Sequence, residues 1–175
     1  MKKLARGVLS VLMVAGFAAM ALAQGNPRGT STLTLKGKTV SVDYGRPSLK
    51  GRTTDELLGQ LKPGGLWRLG ADSSTTFKTE IDLAFGDVTI PAGEYSIWMQ
   101  RQQDNSWKLL FDKEHGQWGE PAPEPSQCFA SVPLKESKPA KSVEMVTLTL
   151  SKAGAGGSLK IQWGTLEAAA GFKAK

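Results

Sequence analysis

Three arginines on two glycine-bearing segments are the residues of this chain best suited to chemistry. Tyr44-Gly45-Arg46-Pro47-Ser48-Leu49-Lys50-Gly51-Arg52 and Trp67-Arg68-Leu69-Gly70-Ala71-Asp72 set them beside two aromatic rings within under thirty residues. A guanidinium is a rigid planar fork of donors that matches a carboxylate or phosphate two bonds at a time. Two jobs are therefore open. Arg46, Arg52, Trp67, Arg68 and Asp72 could line a surface that holds an anionic small molecule, an anionic glycan or a carboxylate of an envelope protein. Alternatively, the arginines satisfy loop carbonyls and pair with Asp43, Asp55, Glu56 or Asp72, tying loops to a scaffold.

Other chemistry is sparse. His115 is the single histidine and Cys128 the single cysteine, which is too few for a zinc site and rules out an internal disulfide. Cys128 lies in the apolar run Cys128-Phe129-Ala130-Ser131-Val132, with no basic neighbour to activate a thiolate, so a small apolar role is expected. No Gly-x-Ser-x-Gly elbow is present, and Gly154-Ala155-Gly156-Gly157 lacks the lysine and serine of a phosphate loop. No cofactor is expected. A hydrolase remains a second reading, with Asp72, Asp112, Glu114 or His115 as acid or base, because glycoside cleavage needs only two carboxylates held across a groove. A third is an envelope interaction module that pairs through a strand edge, for which threonine-rich Val143–Leu150 is a candidate.

The elements that must position these residues follow a leader. Lys2, Lys3 and Arg6 precede an apolar run from Val8 to Leu22, and Ala21-Leu22-Ala23 offers a cleavage site before Gln24. This is the pattern of a secretory signal peptide over residues 1–23, with export to the periplasm or beyond and no membrane span afterwards. Three basic residues leave with the leader, taking the formal charge from +6 to +3. That mild value does not suggest nucleic-acid binding, which needs a dense basic face.

Residues 24–175 are the size of one domain. Their pattern is alternation with period two: Leu33 and Leu35, then Val40, Val42 and Tyr44 across the turn Lys36-Gly37-Lys38, then Phe77 to Phe85, Tyr95 to Met99, Trp107 to Phe111, Val146 to Leu150 and Leu159 to Trp163. One departure is Thr53-Thr54-Asp55-Glu56, a capping box that opens a short helix through Leu57 and Leu58. Residues 113–127, with three prolines, read as a loop, as do the charged residues 135–142. The alanine-rich end, 164–175, fits either a short strand or a frayed tail. Eight or nine strands with one short helix predict an antiparallel β-sandwich, a β-barrel being the alternative.

Taken in order, Tyr44-Gly45-Arg46-Pro47 with Lys50-Gly51-Arg52, Trp67-Arg68-x-Gly70-Ala71, Pro91-Ala92-Gly93-x-Tyr95-Ser96 and Trp118-Gly119 resemble the motif series of the DUF2911 family. The resemblance runs from about residue 28 to residue 163. It implies an exported bacterial β-domain and no assigned activity. The family pattern reads Gly-Ala-Asn-Glu where this chain has Gly70-Ala71-Asp72-Ser73, and asparagine where it has Asp112. If those amides bind a ligand in relatives, the carboxylates here would not be expected to share its specificity.

Overall fold

The computed structural model describes residues 25–175, so the expected leader at 1–23 lies outside the described residues. Within them the chain folds into two antiparallel sheets packed face to face, not a closed barrel. The first sheet is built from β1 (Arg28–Leu35), β2 (Lys38–Gly45), β4 (Thr76–Thr79), β7 (Gly93–Arg101), β8 (Trp107–Asp112) and β9 (Ala130–Pro133), in that spatial order. The two-residue β3 (Leu66–Trp67) adds to β7. The second sheet runs β11 (Val143–Ala153), β12 (Gly156–Gly164), β13 (Leu166–Ala174), β5 (Leu83–Phe85) and β6 (Val88–Ile90), with β10 (Lys135–Ser137) paired to β13.

Alternation puts one set of side chains from each sheet into a shared core. Val40, Val42, Phe77, Ile97, Met99 and Phe111 come from the first sheet, and Val146, Leu148, Leu159, Ile161 and Phe172 from the second, all buried. Aromatic rings lock the layers together at one end. Phe85 of the second sheet has its centroid 5.5 Å from that of Phe111 and 6.4 Å from that of Phe77, both on the first sheet.

Three segments differ from their sequence expectation, each for a local reason. The run from Thr75 to Phe85 is not one strand but β4 and β5, which belong to different sheets. Thr79 makes the crossing: its hydroxyl donates to the Ile81 carbonyl at 2.6 Å and accepts from the Ile81 N–H at 3.3 Å, turning the backbone out of the ladder. The charged stretch after Leu134 contributes β10, whose exposed side chains gave no alternation to read. The alanine-rich end is the nine-residue β13, flanked on both edges and burying Ala168, Ala170 and Phe172.

The helix α1 (Thr54–Leu58) starts where the capping box places it. Thr53 Oγ1 accepts from the Glu56 N–H at 3.2 Å, and the Glu56 carboxylate accepts from the Thr53 N–H at 2.6 Å. It buries Leu58 and lies between the two arginine-bearing segments in the chain.

Candidate functional site

The motif residues meet at one junction, and glycine makes it possible. A Cβ on Gly45 would sit 2.1 Å from the Ala71 carbonyl oxygen, and one on Gly70 would sit 2.7 Å from the Gly45 oxygen. A Cβ on Gly119 would come within 2.6 Å of Arg68 Cδ and 2.9 Å of the Asp72 oxygen. Only residues without a side chain permit such backbone approach. Three motifs distant in sequence thus pack into a single unit.

Around that junction the three arginines part company. Arg46 reaches from the end of β2 to the opposite sheet, where its Nε donates to the Val146 carbonyl at 3.2 Å and its Nη2 to Thr147 Oγ1 at 3.4 Å. Tyr44 does the same beside it, donating to the Leu148 carbonyl at 3.2 Å. Arg52 folds back onto the Leu49 carbonyl at 3.0 Å. Asp72 is also engaged. Its carboxylate accepts from the Asn26 N–H at 2.8 Å, and its carbonyl accepts from the Gly119 N–H at 2.9 Å. Asp43, a possible partner for these arginines, pairs with Arg28 instead.

Arg68 is the exception. Among the described residues it is the one arginine whose guanidinium donates no hydrogen bond, and its nearest carboxylate, Glu120 Oε1, stands 3.7 Å from Nη1. Its side chain is about 29% exposed. The next residue, Leu69, is fully buried with φ of 57°, a left-handed backbone that a leucine adopts only under constraint. That turn sends Leu69 inward and leaves Arg68 at the rim.

Arg68 borders a cleft of about 300 Å³. Leu57, Leu61 and Leu66 form apolar walls, and Trp67 and Trp163 stack at 5.5 Å between centroids beneath them. The Trp163 Nε1–H is buried without an acceptor among the described residues. Of the five residues singled out in the sequence, Trp67 and Arg68 line this cleft, whereas Arg46, Arg52 and Asp72 do not.

A second, larger groove of about 590 Å³ adjoins it through Glu120, which lines both. Its wall carries Asp112, Glu114, Gln117 and Trp118, and Trp118 is 60% exposed. Of the residues considered for hydrolysis, Asp112 and Glu114 meet here, but Asp72 and His115 do not line the groove. His115 sits 3.6 Å from Glu94, which also pairs with Lys78. Cys128 lies just ahead of β9, half-buried and free; burial first, and the charge of Asp112 second, push its thiol up to about 11. The sequence offered Asp112 and Glu114 as acid or base and Trp118 as a motif residue, but not their common groove, because most of its lining comes from a proline-rich loop with no period to follow.

The family profile described as a protein of unknown function, DUF2911, matches residues 26–172. The chain belongs to the DUF2911 family. The match takes in β13 almost to its end, so the alanine-rich strand is part of the family domain. No curated protein and no solved structure matches the chain. Within this DUF2911 domain the described residues hold no group of three or more His, Cys, Asp or Glu side chains placed to share a metal ion, and no helix long and apolar enough to cross a membrane.

Proposed function

We propose that this protein is an exported binding module, not an enzyme, whose ligand site is the Arg68 cleft. The ligand class is a small organic acid with an apolar body. The observation that carries this is the guanidinium of Arg68 at the rim of an apolar cleft, held only by a 3.7 Å contact with Glu120, in a chain whose other described arginines are all hydrogen-bonded. A half-buried donor fork without an acceptor is costly to leave unmade, and a ligand carboxylate would supply two oxygens in matching geometry. Leu57, Leu61 and the Trp67–Trp163 stack would cover the rest of such a molecule.

The test is thermal unfolding of the purified protein with aliphatic and aromatic carboxylic acids, with sugars and inorganic phosphate in parallel. A ligand that binds only the folded state raises the midpoint in proportion to the logarithm of its concentration. Aromatic or aliphatic acids should raise it, and Arg68→Ala should abolish the rise while lowering the unliganded midpoint only slightly. A rise that survives in Arg68→Ala would remove Arg68 from the site. Export is tested separately, by finding whether the N-terminus of the protein recovered from a bacterial envelope fraction begins at Gln24.

A further inference from the structure

We infer that the groove beside Trp118 is a second binding site, for organic ammonium ions. Its lining contains three carboxylates, Asp112, Glu114 and Glu120, and no lysine or arginine. Glu120 at the shared edge stands 3.7 Å from Arg68, but Asp112 and Glu114 have no such cation beside them among the described residues, and their charge disfavours the anions that suit the Arg68 cleft.

Asp112 makes the inference more than a statement about acidic residues. It is nine-tenths buried at the end of β8, yet it has no cationic partner among the described residues. One carboxylate oxygen, Oδ1, accepts the Glu114 N–H at 3.2 Å, while Oδ2 accepts no hydrogen bond among the described residues and is not enclosed, so it is open on the groove side. A buried carboxylate with half its acceptor capacity open is normally matched by a cation or a full set of donors. Its charge is felt nearby, since it contributes to the raised thiol of Cys128.

Trp118 supplies the complementary half. A large ring that is 60% exposed would ordinarily be turned into the core, but the backbone around it is pinned in place. The Ser74 N–H donates to the Gln117 carbonyl at 2.8 Å, the Gly119 N–H to the Asp72 carbonyl at 2.9 Å, and Trp118 itself bridges Ser73. The ring is therefore presented by a rigid support, which lowers the ordering cost of binding. An indole face attracts ammonium groups most strongly of all side chains, and carboxylates facing it complete the recognition of a protonated amine. Carboxylates and an exposed indole would also suit a neutral sugar, and the two are separated by charge.

Titration of the full chain, followed by calorimetry and tryptophan fluorescence, should show binding of spermidine, choline and glucosamine, and not of glucose or N-acetylglucosamine. Asp112→Asn should weaken amine binding by about tenfold or more, the scale of one lost charged interaction. Trp118→Ala should weaken it by about threefold or more. Because a buried substitution at Asp112 could disturb the fold, the exposed Glu114→Gln provides a second variant, expected to weaken spermidine with an unchanged circular dichroism spectrum. Arg68→Ala should not weaken amine binding, since it only releases Glu120 from a 3.7 Å contact, and Asp112→Asn should leave the binding of organic acids intact, so either site can fail alone. Equal affinity for glucosamine and N-acetylglucosamine would overturn the ammonium assignment. So would amine binding indifferent to both Asp112→Asn and Glu114→Gln, or no binding of any amine.

Discussion

Arg46 and Arg68 belong to the same short motif series and differ completely in employment. Arg46 is spent inside the protein, joining the end of β2 to the Val146 carbonyl of the opposite sheet. Arg68 donates no hydrogen bond among the described residues and keeps only a 3.7 Å contact with the exposed Glu120, although it lies one junction away and its neighbours are just as firmly held. A guanidinium is costly to order and to desolvate, so an arginine that closes two sheets is explained by the fold. One left open beside an apolar cleft asks for a partner from outside. Residue type gives no guide to which is which; the acceptors within reach decide it.

The comparison breaks most sharply at the junction that holds both segments. Gly45→Ala would drive a methyl group to within 2.1 Å of the Ala71 oxygen, which backbone must move to relieve. The expected loss is about 3 kcal/mol of unfolding free energy, the upper end for an overpacked site. Denaturant unfolding measures it. A loss below about 0.5 kcal/mol, a typical surface value, would mean that the two segments are not rigidly coupled.

Arg46→Ala comes next. It removes the donor to the Val146 carbonyl and should cost about 1–2 kcal/mol, the range for a partly buried bond to a charged group. Arg68→Ala, by contrast, forfeits only a 3.7 Å contact with an exposed glutamate, worth under about 1 kcal/mol. The ranking is the informative part. If Arg68→Ala proves the more destabilising in chemical denaturation, Arg68 is a scaffold residue, and the cleft loses the donor on which its assignment rests.

How much of this was legible in the sequence follows the same division. The β1–β2 hairpin, the capping box at Thr53 and the buried faces of β7, β11 and β12 could be read because alternation and capping are local. The split between β4 and β5 was not, since Phe77, Ile81, Leu83 and Phe85 look continuous until the Thr79 hydroxyl turns the chain. β13 was half hidden, because alanines carry little strand preference and gain theirs from neighbours on both edges. For the site, the sequence singled out Trp67 and Arg68, but it could not separate Arg68 from Arg46 and Arg52. Their acceptors at Val146 and Leu49 are backbone carbonyls, which have no sequence signature. Trp118 was noticed only as a motif residue, its exposure being a property of how the 113–124 loop is pinned.

The smallest expected effect tests the employed side through pH. Glu144 on β11 receives the Ser48 hydroxyl and the Lys50 N–H, and so ties the loop after Arg46 to the second sheet. These two bonds, the Ser48 hydroxyl first, hold its carboxyl below the ordinary glutamate value of 4.5. A carboxyl lowered by folding stabilises the native state above its unfolded value, and that contribution fades as pH falls through the lowered folded value. Wild-type protein should therefore lose a little more stability than Glu144→Gln between neutral pH and about pH 3, a window that contains the ordinary carboxylate range. The two curves should converge at the acid end, because protonated glutamate and glutamine then present similar groups to Ser48 and Lys50. Parallel curves would show that the loop after Arg46 is held without Glu144. The contrast with Arg68 would then rest on the Val146 carbonyl alone.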